Sequence, residues 1–387
     1  MFSSRFHWDL KPNRITELLR ERRGAGKRIL DLTESNPTQA GLEYPAAVVE
    51  AFQDSRVLTY HPEPAGSIEA RQAIASYYER RGIAISPERI LLTASTSEGY
   101  AYLFKLLCDP GDAVLVPRPS YPLFEFLADM ESVAVRQYPL AYHSGWSVDL
   151  AALEAAITPR TRAIVVVNLN NPTGSFLKRH EAEALARICA ARGLAIIADE
   201  VFSDYGFAPD PERVSTLAGV TECLSFSMSG LSKIAGLPQM KLGWIAVGGP
   251  DPLRRSAMER LEWIADTYLS VGTPVQCAAP CLLEAGEEMQ RQIRERTIAN
   301  LGYVQGALSG SAGNILTVEG GWYVAVQVPR VRSEEEWVLE LILEGVLVQP
   351  GFFYDFASDA FLILSLLTAP EIFREGVDRI RVKLDMA

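Results

Sequence analysis

Lys233 stands in the run Ser229-Gly-Leu-Ser-Lys-Ile-Ala-Gly-Leu-Pro238, directly after a β-like stretch at 223–228. An amine set among small and hydroxylated residues after a strand is placed to meet an aldehyde and form a Schiff base with it. Two upstream motifs add partners: Asn171-Pro172-Thr173-Gly174, and Asp199-Glu200 at the end of an apolar run. A lysine, an asparagine and an aspartate brought together in this way converge on one aromatic cofactor.

Such a convergence needs a rigid frame, and the sequence supplies one. Short runs rich in Ile and Val recur at 90–93, 113–116, 133–138, 163–168, 195–199, 224–227 and 242–247. Most are separated by helix-length amphipathic segments, which implies an α/β fold with a largely parallel, seven-stranded sheet covered on both faces. After residue 248 the texture changes: 251–271 and 276–308 read as long helices, then come strands near 321–328 and 361–367 with helices at 333–344 and 370–384. The expected division is therefore an N-terminal segment 1–45, a large α/β domain 46–275 and a small α+β domain 276–387. The extended stretch 29–33 is expected to join the small domain or a neighbouring subunit.

Bulk properties exclude several classes. A net charge of −11 with Lys and Arg scattered among carboxylates offers no basic face for nucleic acid. No apolar run is long enough to span a bilayer and 1–10 lacks an apolar signal core, so cytoplasmic residence is expected. Five isolated cysteines and four dispersed histidines suggest neither a disulfide framework nor a metal site.

Taken in order, Tyr60 with Gly66, Thr93-Ala-Ser-Thr-Ser-Glu98, Pro119-Ser-Tyr-Pro122, Asn171-Pro-Thr-Gly174, Asp199-Glu200 and Ser232-Lys233 followed by Gly243-Trp244 resemble the class I/II aminotransferases among the fold-type-I pyridoxal-phosphate enzymes. The likeness covers nearly the whole chain. It implies pyridoxal 5'-phosphate as cofactor, a homodimer, and transfer of an amino group from an amino acid or related amine to a 2-oxo acid by a ping-pong cycle. Lys233 is then the Schiff-base lysine and proton carrier, and Asp199 the carboxylate that keeps the pyridine nitrogen protonated. Asn171 would donate to the ring phenolate, and Tyr121 would stack on the ring. Ser95, Thr96 and Ser97 would cradle the phosphate at a helix start, where Ser95 followed by Glu98 also makes an ordinary N-cap. Tyr60 would reach a neighbouring subunit's phosphate, and Lys241 would neutralise the phosphate of its own.

Three positions depart from the family pattern. Phe202 stands where a tyrosine usually donates to the phenolate, which should raise the pKa of the cofactor–lysine linkage. Lys241 replaces an arginine and gives up forked geometry. Ile363, in Phe361-Leu-Ile-Leu-Ser365, replaces the arginine that fixes the substrate α-carboxylate. Arg118, Lys178, Arg14 or backbone donors near Ser35 and Asn36 are the alternatives, unless the substrate is not an ordinary α-amino acid. Tyr121, Phe124, Trp322, Phe352 and Phe353 suggest an apolar pocket. A lyase or decarboxylase using the same cofactor stays open at this point.

Overall fold

Thr161–Val167 is buried at every position but Arg162, and Ala195–Asp199 at its first four. Strands of this composition have no solvent face and belong in the middle of a sheet covered on both sides. In the computed structural model, which describes residues 1–8, 11–358 and 360–386, they are the two central strands of eight. From edge to edge the sheet runs Ile90–Thr93, Gly243–Gly248, Ser225–Gly230, Ala195–Asp199, Thr161–Val167, Ala113–Arg118, Ala134–Tyr142 and Trp146–Val148. Four neighbouring pairs are parallel. Gly243–Gly248 runs against both neighbours, and Trp146–Val148 against Ala134–Tyr142. All seven expected strands are present. The eighth is a three-residue hairpin return, too short to show an alternation of its own in the sequence.

Alternate residues of each strand feed opposite faces. Leu91, Val165, Ile197 and Ile245 pack against Tyr100, Leu127 and Leu261, from helices Thr96–Leu107, Phe124–Met130 and Asp251–Tyr268. On the other face, Ile164 and Ile196 meet Leu153 and Leu185, and Leu92 and Trp244 meet Ile74 and Leu282. Several helices start on a side chain that accepts an N–H of its own first turn: Asn13, Ser67, Ser95, Asp149 and Ser333. Each such cap stabilises its helix by about 1 kcal/mol.

The second sheet is antiparallel and built from late residues, in the order Asn314–Ile315, Tyr323–Gln327, Phe361–Ser365, Gln349–Pro350. Helices Glu334–Leu343 and Pro370–Asp385 supply Trp337, Leu341, Phe373 and Ile380 to its core. Leu30–Asp31 pairs in parallel with Val346–Leu347, and Ile15 of helix Arg14–Gly24 enters the same core. Thr273–Leu308, one helix of 36 residues, packs against both Ile68–Arg80 and Pro370–Asp385. On this packing we propose that 46–275 and 276–387 together with 1–45 form two lobes, with the boundary inside a continuous helix.

The two sheets meet through a seam. Gly174 takes φ +68°, and a Cβ there would come within 2.6 Å of the Gly320 carbonyl oxygen, so only glycine allows the approach. Glu319 reinforces it: its carboxylate accepts the Phe176 N–H at 2.9 Å and pairs with Lys178 and Arg213. Beside this seam Phe202, Tyr205, Leu169 and Trp322 form a small aromatic core of their own.

Candidate active site

In an open α/β sheet the strand carboxyl ends leave backbone groups and side chains unpaired above the sheet, and ligands collect there. Thr93 and Gly230 both pair with Gly243, and Asp199 pairs with Met228, so these strand ends share one edge. A Cβ on Gly243 would lie 3.1 Å from the Ser229 carbonyl oxygen and 3.2 Å from the Ser95 carbonyl carbon. Three segments from distant parts of the chain are thus in contact at one point.

Lys233 follows immediately, on the single helical turn Leu231–Ile234. The Tyr205 hydroxyl donates to its carbonyl oxygen at 2.5 Å and fixes the turn. Its Nζ lies 5.0 Å from the centre of the Trp322 ring and 5.6 Å from that of Phe202. Burial lowers the amine's pKa, and the Asp199 charge opposes the shift without cancelling it. A depressed pKa leaves more of the amine neutral and nucleophilic at neutral pH.

Asp199 is raised to about 6 by burial, against two hydrogen bonds and the Lys233 charge. Tyr100 donates to Oδ2 at 3.2 Å and the Val201 N–H to Oδ1 at 3.3 Å. The carboxylate is therefore held in place but short of a cation. Tyr100 escapes a reading of the motifs, although it lies one helical turn beyond Thr96 and so on the face that carries the hydroxyls. Glu200, 1% exposed, ties the same strand end down: its N–H donates to the Met228 carbonyl, and Oε1 accepts from Leu217 N–H at 2.6 Å and Ser227 Oγ at 3.1 Å. Burial lifts its pKa to about 7.

Ser95 caps the Thr96–Leu107 helix, accepting the Glu98 N–H at 3.2 Å. Glu98 in turn accepts the Ala94 N–H and the Ser270 hydroxyl, each at 2.7 Å. Helix capping is therefore in place at Ser95, while the N–H groups of Thr96 and Ser97 precede the first intrahelical bond and remain available to an anion. Asn171 is 7% exposed with Oδ1 buried and unpartnered, and the hydroxyls of Ser120 and Ser229 are in the same condition. Unpaired buried polar atoms cost about 1–3 kcal/mol each.

The remaining expected residues are placed as follows. Tyr121 is 45% exposed, and its hydroxyl pKa is raised by burial and then by the Asp199 charge. Tyr60 is 75% exposed in a groove with His61, Glu63, Tyr102 and Ser270, whose hydroxyl donates to Glu98. Lys241 is exposed at φ +53° after the Pro238–Met240 turn, and its side chain has no hydrogen bond or ion pair among the described residues. Lys178 is held by Asp210 and Glu319, and Arg14 by Glu335, while Asn36 N–H already donates to Glu34 at 2.7 Å. Arg118 has no partner among the described residues. Trp322 adjoins Lys233, whereas Phe124 is a core residue, 5% exposed beneath Tyr100. Among the described residues no cluster of His, Cys, Asp and Glu has metal-binding geometry.

A depressed lysine, a desolvated aspartate, the amide NH2 of Asn171 and an open helix start suit a ligand with an electrophilic carbon, a protonated ring nitrogen, a ring oxygen that accepts, and a phosphate; the unpartnered Asn171 Oδ1 is itself an acceptor and needs a separate donor. Pyridoxal 5'-phosphate has these four features, and the residues present fit it. The comparisons with known proteins agree. The family described as aminotransferase class I and II matches residues 27–380. A glutamate-pyruvate aminotransferase of Escherichia coli is 31% identical over 255 residues, 65% of this chain and 63% of that protein. An arginine–pyruvate transaminase of Pseudomonas aeruginosa is 30% identical over 363 residues, 92% of this chain and 90% of its own. The structure of an alanine aminotransferase from Pyrococcus furiosus superposes with a TM-score of 0.89 at 24% identity, covering 100% of both chains.

Proposed function

Because the chain belongs to the class I and II aminotransferase family, we propose that it is a pyridoxal-phosphate-dependent aminotransferase, moving an amino group from an amino acid or related amine to a 2-oxo acid in two half-reactions. The observation that carries this reading is the buried Lys233 amine with its pKa lowered, in the electrostatic range of Asp199. When bound, the cofactor supplies an aldehyde for the amine and a ring that accepts the electron pair of the substrate Cα–H bond.

This chain's residues do the rest. Lys233 Nζ would hold the cofactor through its aldehyde and, once released, would carry the proton taken from the substrate Cα. Asp199 would keep the ring nitrogen protonated, and that positive charge would give the desolvated carboxylate the partner it lacks. Tyr100 and Val201 N–H hold that carboxylate in register. Asn171 would orient the ring by donating its amide NH2 to the ring oxygen, Tyr121 would stack on the ring, and Ser95, Thr96, Ser97 and Lys241 would bind the phosphate. Phe202 and Trp322 pack edge to face at 5.2 Å and keep water from the amine.

Two coarser features extend the proposal. Tyr60, Leu58 and Val49 are 75%, 87% and 75% exposed, an apolar surface that a second copy of the chain would cover, with Tyr60 reaching the partner's phosphate site. No helix among the described residues is long and apolar enough to cross a membrane, in keeping with the proposed cytoplasmic location. A screen of amine donors, then 2-oxo acid acceptors, read by the cofactor's own absorbance, tests the activity. Donors should shift the spectrum and acceptors restore it; a spectrum that no donor changes contradicts the proposal.

A further inference from the structure

From Lys233 a line of aromatic rings leads to the second sheet. Phe202 lies 5.6 Å from Nζ, the Tyr323 ring 6.3 Å from Phe202, and the Tyr354 ring 6.4 Å from Tyr323. Trp322 closes the side at 5.0 Å from Nζ. These steps span the reach of a small substrate attached where Lys233 sits.

The rings of this line and Ile363 behind them are uncharged. Ile363, 1% exposed, backs Tyr354 within an apolar cluster and lies opposite Gln349 in the sheet. The polar groups along the line are neutral and already engaged: the Tyr354 hydroxyl donates to Gln349 Oε1, and the Ser35 side chain interacts with the Tyr323 hydroxyl. Burial raises Tyr323 to about 12, and the nearby charge of Glu34 adds to the shift, so this phenol stays neutral beside a negative group. Four cations are committed elsewhere: Lys178 and Arg213 to Glu319 and Asp210, Arg81 to Asp204, and Arg296 to the Ala40 and Leu367 carbonyls. Arg118, two residues before the Ser120 whose N–H donates to the Tyr354 carbonyl at 3.0 Å, has no partner among the described residues and is the cation against which the tolerance must be tested.

Resting on the aminotransferase reading, we propose that the donor site accepts primary amines with an apolar or aromatic body and does not require an α-carboxylate, Ile363 and Tyr323 setting that tolerance. The reaction balances without an added oxidant. The amine R–CH2–NH2 gives its nitrogen to the cofactor and a Cα proton to Lys233. Water supplies the oxygen of the aldehyde R–CHO. The second half-reaction passes the nitrogen to a carbonyl acceptor and returns the water. A forked guanidinium–carboxylate pair separates an amino acid from its decarboxylated amine by more than about a hundredfold and a single neutral donor to the carboxylate by about tenfold or more, whereas a carboxylate that meets no donor separates them little.

The test uses holoenzyme and matched pairs: each amino acid in a donor panel, and the amine left when its carboxyl group is replaced by hydrogen. Cofactor absorbance reports kcat/KM for the half-reaction. For the best side chain the two members should agree within about twentyfold, or the amine should be the better donor. An amino-acid advantage above that overturns this proposal and leaves the aminotransferase reading standing; if Arg118→Ala abolishes the advantage, that guanidinium holds the carboxylate. If no donor of either kind reacts, both fall. Ile363→Arg should move the ratio at least tenfold toward the amino acid. Should that variant not fold, since it buries a charge, the wild-type ratio decides alone.

Discussion

Asp199 sits in the site at a cost that should be measurable. In the absence of the cofactor its pKa is about 6 against 3.8 in an unfolded chain, because burial outweighs the bonds from Tyr100 and Val201. A raised folded-state pKa means the folded protein binds the proton more tightly. The site's contribution to stability is then intact below pH 3.8 and is lost as pH rises through 6. Above pH 7 the full penalty is about 3 kcal/mol, and at pH 5 about half of that. Asp199→Asn removes the charge and keeps the shape. Urea unfolding of the apoprotein should therefore show the variant more stable by up to about 3 kcal/mol at pH 8, less whatever the altered hydrogen bonds cost. The gap should narrow by about 1.4 kcal/mol at pH 5. Glu200 titrates near the same range but is common to both proteins and cancels in the difference. A variant no more stable than wild type at pH 8, with a gap that does not change with pH, would refute the claim that this carboxylate is desolvated and waiting for a cation.

Other expectations follow from the same geometry. Ser95→Ala removes the cap to the Glu98 N–H and should lower stability by about 1 kcal/mol while weakening retention of the cofactor, measured by denaturant titration and by dialysis against buffer. Phe202→Tyr adds a hydroxyl near Lys233 and should lower the pH at which the bound cofactor's absorbance band changes; an unmoved or raised transition contradicts the role given to that position. Mixing Lys233→Ala chains with Tyr60→Ala chains should recover activity, since one site of each mixed dimer holds both residues; a mixture no more active than its parts argues against Tyr60 acting across subunits.

The large sheet was legible because its strands are short, β-branched and buried on both faces, a pattern that survives without knowledge of the partners. Strand ends were legible too, which is why Asp199 and Lys233 stand out. Trp146–Val148 was not, because a hairpin return of three residues borrows its pairing from Ala134–Tyr142. Side-chain partnerships between distant segments were equally hidden. Tyr100 could have been found by carrying the helix one turn past Thr96, but nothing local says that its hydroxyl meets Asp199 rather than water. The line from Phe202 to Tyr323 and Tyr354 depends on how the second sheet docks on the first, through Gly174, Gly320 and Glu319. Phe124 shows the reverse error: an aromatic residue near the Tyr121 motif reads as pocket lining, and amphipathic packing of Phe124–Met130 sends it into the core instead.

The account rests on the Lys233 side chain being the point of covalent attachment. Holoenzyme reduced with borohydride, digested and mapped by mass spectrometry tests this directly. A single pyridoxyl group on Lys233 is the predicted result, with Lys241 and the other lysines unmodified. An adduct on a different lysine, or none on a protein that retains the cofactor, would contradict it.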